Sequence, residues 1–257
     1  MSEFVSKSLA LAASATFDDM LKQFGVVTVM NARVYKDPLS VIMNQEDGNF
    51  SNFKAHDFVK ELLKKKGGSG DDKDDPLHAS VFIDTLKITN INMEGPTKTI
   101  TGGQYVNPLI KFGKTATIEM QDALGRAEVI EALGGGIVET YVNSEATPVK
   151  DSQVEVGHTN VLHLTQDFAG PKTILGESFF IDRQTGAQVK VYILLYEMLP
   201  DSIFNLTQDA EGDATVFDLN GSLSAVDILI GNAGTTDGVV KGVFYSILPQ
   251  NNAYDYE

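Results

Sequence analysis

GKTATIEMQDALGRAEVIEALGGG, residues Gly113–Gly136, is the stretch on which the fold turns. Between Gly113 and Gln121 apolar and polar residues alternate. Ala116, Ile118 and Met120 point to one side; Thr115, Thr117 and Glu119 point to the other. That period belongs to a half-buried strand. Asp122 then stands where a helix N-cap belongs, because its carboxylate can accept a backbone N–H of a first turn. Leu124, Ala127, Ile130 and Leu133 follow at near-helical spacing, and Gly134 offers a left-handed stop. A strand and a helix that are each apolar on one face need partners for both faces.

Upstream, Thr16–Asp19 resembles a capping box. Phe17, Met20, Leu21 and Phe24 follow at helical spacing, closed by Gly25, so residues 1–25 read as an arm and a short helix. Val26–Tyr35 is rich in β-branched residues and reads as a strand. Residues 37–52 are polar, broken by Pro38, Gly48 and Asn49, and read as a loop. From Asn52 to Lys66, Ala55, Phe58, Val59 and Leu62 form one helical stripe, with Lys64–Lys66 suited to the negative end of the helix dipole. Gly67–Pro76, GGSGDDKDDP, has the chemistry of a surface linker.

Downstream the texture is β. Strands are expected at Ala79–Asp84, Thr85–Ile91, Gly136–Asn143, Gln153–Val156, Asn160–Thr165, Thr173–Leu175, Ser178–Asp182, Ala187–Tyr196, Ser202–Thr207, Ala214–Leu223 and Val239–Leu248. Asp182–Gly186 (DRQTG) reads as a hairpin turn. Many short strands with regular turns imply a sandwich or barrel, whose sheet edges must close or find a neighbour. No period of a repeat architecture is present.

The chain has 257 residues, 42% of them hydrophobic, enough for a sizeable core. No apolar run reaches the ~18 residues of a membrane span. Ser8–Ala15 has a small-x-small ending, but its apolar core is short and Glu3 and Lys7 cancel before it, which argues against a signal peptide. Asn49, Asn205 and Asn220 begin Asn-x-Ser/Thr triplets, relevant only on a secretory route. There is no cysteine, hence no disulfide framework and no thiol nucleophile. The formal net charge of −15 opposes tight binding of nucleic acid. Its first reading is a solvated acidic surface that keeps the protein soluble; a channel that passes DNA without holding it would also want acidic walls.

Motifs of chemistry are missing. The acidic run at Asp71–Asp75 fails as a calcium loop, since Pro76 and Phe82 stand where glycine and glutamate are required. His158 and His163 fall on opposite faces of a regular strand, so His56, His78, His158 and His163 read as structural or surface residues. There is no nucleophile elbow and no phosphate-binding glycine loop; Gly102–Gly103 reads as a turn and Gly134–Gly136 as a helix stop. Phe179, Phe180, Tyr192 and Tyr196 lie in strand patterns that serve cores or subunit contacts. Tyr254–Glu257 reads as a terminal arm. No enzymatic activity, cofactor or metal is expected.

Two stretches carry a resemblance. One is Pro96–Gly135, with the core FGKTATIEMQDALG; the other is Gly176–Ser224, with strand, DRQTG hairpin, long strand and AEGDATVFDLNGSL. In that order they resemble the major tail tube proteins of long-tailed bacteriophages, over about a third of the chain. The resemblance implies a mainly β fold, a β-sandwich or rolled barrel with one flanking helix and additional short helices. It implies one domain over residues 1–257, with the helix and linker at about 49–76 as an insertion of polar mass on the outer surface. It further implies a virion structural protein, assembled in the host bacterial cytoplasm into stacked hexameric rings. The tail tube so formed passes the phage genome. The implied partners are further copies, tape-measure, tail-tip or baseplate and tail-terminator proteins, and in a contractile tail a sheath; no membrane is involved. Thr115, Thr117 and Glu119 would face the lumen or a neighbouring subunit, or solvent on an outer wall. The tube of a related contractile injection machine is an alternative. So is a β-sandwich carbohydrate-binding module, weakened by the absence of tryptophan.

Overall fold

A computed structural model describes residues 24–26, 30–45, 49–64, 80–95, 97–99, 109–111, 113–122, 126–142, 158–165, 169–182, 188–201, 217–231 and 238–250. In chain order its elements are β1 (Phe24–Val26), β2 (Asn31–Tyr35), α1 (Leu39–Ile42), α2 (Ala55–Leu62), β3 (Ser80–Ile83), β4 (Leu86–Glu94), β5 (Thr97–Thr99), β6 (Leu109–Lys111), β7 (Thr115–Asp122), α3 (Ala127–Gly134), β8 (Gly136–Val142), β9 (His158–Leu164), β10 (Lys172–Asp182), β11 (Gln188–Pro200), β12 (Phe217–Ser224), β13 (Val226–Ile230), β14 (Gly238–Val243) and β15 (Tyr245–Pro249). The protein is mainly β, as the alternating segments imply. No helix among the described residues is long and apolar enough to cross a membrane.

Nine strands form one antiparallel sheet; seven run in the order β3-β2-β10-β11-β12-β7-β4, with β1 beside β10 and β15 beside β11. The strands β10 and β11 are long enough to take two neighbours end to end. β10 holds β2 along Thr173–Glu177 and β1 along Phe180–Asp182. β11 holds β15 along Val191–Leu195 and β12 along Glu197–Pro200. The first and last strands of the order, β3 and β4, are consecutive in the chain, so the sheet curls into a nearly closed barrel. α3 contacts β3 and adds Val129, Ala132 and Leu133 to the core beside this gap. Smaller hairpins pair β5 with β6, β8 with β9 and β13 with β14.

Strand parity gives the sheet two apolar faces. On the first, Ala32, Val34, Ile83, Ile118, Met120, Ile174, Leu195 and Leu219 pack with α3. On the second, Leu175, Tyr192, Leu194 and Tyr196 meet Phe58, Val59 and Leu62 of α2 and Val226 and Ile228 of β13. Phe58 lies edge-on to Phe50 and to Tyr196, with ring centroids 5.5 Å apart in each pair. The Tyr35 hydroxyl donates to the Leu62 carbonyl at 3.0 Å, which ties α2 to β2. The helix in the 49–76 segment is therefore a core element and not outer polar mass: Phe58, Val59 and Leu62 have no exposed surface. The linker Gly67–Pro76 lies outside the described residues.

The opening stretch keeps its strand and helix, with two corrections. Asp122 is not an N-cap. It closes β7, paired with Phe217 and Leu86, and its carboxylate accepts the Thr85 hydroxyl where β3 passes to β4. The residue preceding the helix is Arg126, which makes no side-chain cap bond but reaches Asp84 at 3.3 Å. The left-handed stop is Gly135, at φ 75°, one residue beyond Gly134. Leu124 lies outside the described residues.

Other boundaries differ too. Phe24 and Gly25 do not end a helix: they belong to β1, held by the ladder to Asp182 and Ile181; residues 1–23 lie outside the described residues. Within 37–52, Pro38 precedes the short α1, and Phe50 bridges to Ile228. The two strands expected at 173–182 are one. Gly176 stays in the ladder, paired with Ile193 and Ala32, and a Cβ there would stand 1.8 Å from the Met30 sulfur. Val239–Leu248 is two strands, with Gly242 at φ +73° shortly before the break. Gln153–Val156 and Ser202–Thr207 fall outside the described residues.

Candidate functional site

The polar side of β7 is where the residues singled out in the sequence come together. Thr115, Thr117 and Glu119 are exposed, while Ala116, Ile118 and Met120 between them are buried. Hydrogen-bonded neighbours on both sides repeat the alternation. β4 contributes Asn90, Asn92 and Glu94; β12 contributes Asp218, Asn220 and Ser222. The register aligns Asn90, Glu119 and Asn220 in one row and Asn92, Thr117 and Ser222 in the next. Glu94 sits opposite Thr115, and Gln121 opposite Asp218. The result is a three-stranded wall of amides, hydroxyls and carboxylates, backed by the first core.

Local bonds hold the wall's polar groups. Gln121 Nε2 donates to Asp218 Oδ1 at 2.9 Å, and the Ser222 hydroxyl donates to Asp201 Oδ2 at 2.5 Å. On the adjoining part of β11, Leu199 is exposed, and burial pushes the half-buried Glu197 carboxyl above the usual glutamate range. The lysines of β4 and its approach to β7 stand off the rows. Lys87 is the extra residue of a bulge between Leu86 and Ile88, and Lys114 precedes the first ladder pair of β7. Each aligned row among the described residues thus carries neutral or acidic groups.

Such a surface can accept and donate neutral hydrogen bonds and repels phosphate. No group of three or more His, Asp or Glu residues suited to a metal ion occurs among the described residues. His163 lies elsewhere, on the β8–β9 hairpin, where it pairs with Glu139 at 3.0 Å, and His56 lies 4.0 Å from Asp57 on α2. Strands at β4 and β12 are expected from the sequence and both alternate, but their polar residues are not among the candidate site residues. Asn90, Asn92 and Glu94 flank Ile91 and Met93; Asp218, Asn220 and Ser222 flank Leu219 and Gly221. That signal was present; the pairing that unites them was not.

No protein-family model matches the chain, and no curated protein matches it. Any functional reading therefore rests on the sheet and its polar wall.

Proposed function

We propose that this chain is the subunit of a bacteriophage tail tube, a virion structural protein whose stacked hexameric rings enclose the path of the genome. The observation that carries this reading is the β12–β7–β4 wall. Its aligned rows are neutral or acidic, and it ends on β4, a strand with no second ladder partner among the described residues. A strand edge without a ladder partner is a template for a neighbouring strand. Joined edge to edge, such walls would make a continuous lining. Phosphates would meet no cation in the aligned rows of the described residues, so DNA would slide with little of the counterion release that drives tight binding. On this reading Thr115, Thr117 and Glu119 belong to the lining, and the protein acts with tape-measure, tail-tip and tail-terminator proteins in the virion tail. It needs no cofactor and catalyses no reaction.

Negative-stain microscopy of concentrated protein, alone and with its tape-measure and tail-tip partners, tests the reading. Rings or tubes are expected. A strictly monomeric species in every condition would sink it, and binding of a sheath protein to the outer surface would assign the tube to a contractile tail.

A further inference from the structure

On the face that carries the second core, the packing stops at Leu175 and Tyr192. Beyond them lie Glu177 and Phe179 of β10, Lys190 of β11, Arg33 of β2 and Phe82 of β3. Glu177 is held between two cations, 3.3 Å from Arg33 and 3.8 Å from Lys190. The Arg33 guanidinium stands 5.1 Å from the centre of the Phe82 ring. The charged groups are the better covered: the Glu177 side chain is 19% exposed, whereas Phe82 and Phe179 are 37% and 43% exposed. Two cations against one carboxylate leave this patch net positive on a chain of net charge −15. Exposed aromatic rings beside arginine are a composition common at contact surfaces.

The chain itself leads to the patch. One residue past β15, the Gln250 N–H donates to the Lys190 carbonyl at 2.9 Å. Residues 251–257, NNAYDYE, follow Gln250 in the chain and bring two tyrosines and two side-chain carboxylates. At ~3.3 Å per residue they can span roughly 23 Å, and the patch from β11 to β3 covers three strand spacings, about 14 Å. Their charge is opposite to that of the patch.

We propose that residues 254–257 dock on this patch of their own chain, in place of the free arm their composition suggests. Tyr254 and Tyr256 cover the rings of Phe179 and Phe82, and Asp255 and Glu257 meet Lys190 and Arg33. The contact is independent of the assembly proposed above and would be present in a single subunit.

Hydrogen exchange and cross-linking on dilute, unassembled full-length protein test it. Ending the chain at Gln250, or changing Tyr254→Ser and Tyr256→Ser together in the full chain, should speed exchange over residues 31–33 and 177–190 by about tenfold. In an Arg33→Lys chain, a zero-length carbodiimide reagent should join the new amine at position 33 to Asp255 or Glu257. In a mixture of isotopically heavy and light protein, that link should join residues of the same copy. Unchanged exchange in both variants overturns the proposal, as do links found only between heavy and light copies.

Discussion

Ile118 has no exposed surface and lies between Ile91 on β4 and Gly221 on β12 in the first core. We predict that Ile118→Asp costs about 3–5 kcal/mol, because it buries a charge among the apolar side chains of the first core. Urea denaturation measures this, and parental stability would mean that the face is not core. Gly221 shows what a single chain cannot reveal: a Cβ there would come within 2.4 Å of Met198 and 2.7 Å of the Leu199 carbonyl oxygen. The glycine was visible in the sequence, but the strand that crowds it was not. Glu197 carries a second prediction. Burial raises its carboxyl, so the folded protein holds the proton more tightly than the unfolded chain does. Its unfavourable effect is absent below the unfolded pKa of ~4.3 and grows as pH rises from there through the folded value. Glu197→Gln should therefore be more stable than the parent at neutral pH, with the gap narrowing on acidification. Thermal melts across that range check it, and a gap that ignores pH would rule Glu197 out as its source. The Tyr196 hydroxyl, pushed up to about 12 by burial, stays protonated throughout and keeps its 2.6 Å bond to Ser246.

The helix α3 belongs to the scale of elements, because it lies beside the gap between the ends of the sheet. Its apolar side was legible from the spacing of Ala127, Ile130 and Leu133, and Val129 and Ala132 complete the buried surface. Its start was not legible. An acidic residue ahead of a helical pattern looks like a cap, yet Asp122 is committed to two strands and to Thr85, and the helix begins only after Arg126. Tertiary pairing overrode a local signal there, as it did at Phe24–Val26, where the ladder to β10 displaced an apparent helix end. The apolar stripe of α2 was equally legible, but its destination was not, since Tyr35, Leu175 and Tyr196 lie far away in sequence. Two ties anchor α3: Lys36 to Glu131 at 2.8 Å and Arg126 to Asp84 at 3.3 Å. The Lys36 hydrogen bond lowers the Glu131 carboxyl, so its contribution is present above the unfolded pKa and fades as pH falls through the lower folded value. Packing outweighs these partly exposed pairs. We predict that Leu133→Ala, at a side chain 1% exposed, costs roughly 2–5 kcal/mol by loss of burial and creation of a cavity. Denaturant unfolding gives the value, and a change below about 1 kcal/mol would mean that α3 does not carry the core at the gap.

At the scale of the whole molecule, alternation along separate segments exposes a β protein but not its strand order. β7 meets β12 across a long stretch of intervening chain, and the nearly closed sheet depends on β3 and β4 flanking it as consecutive segments. That is why Thr115, Thr117 and Glu119 could be named as one face while Asn90, Asn92, Asp218 and Asn220 beside them could not. The joined wall makes the tube reading testable through charge. Glu119 and Asp218 are both exposed, and neither enters an apolar cluster. We predict that Glu119→Lys combined with Asp218→Lys leaves the fold close to parental stability, because exposed substitutions usually shift it by no more than about 0.5 kcal/mol. The double substitution removes the exposed hydrogen bond from Gln121 to Asp218 and leaves both apolar cores untouched. In an assembled lining, every subunit would then present two cations where it had presented two carboxylates. Passing DNA would gain phosphate contacts and release counterions, so retention should appear at low salt and fall steeply as salt rises. Virions built with this variant should eject their genome more slowly than the parent at low ionic strength and recover in high salt. Single-particle ejection assays measure the delay. Tubes that assemble normally and eject at the parental rate at every salt concentration would show that the wall does not line the path of DNA.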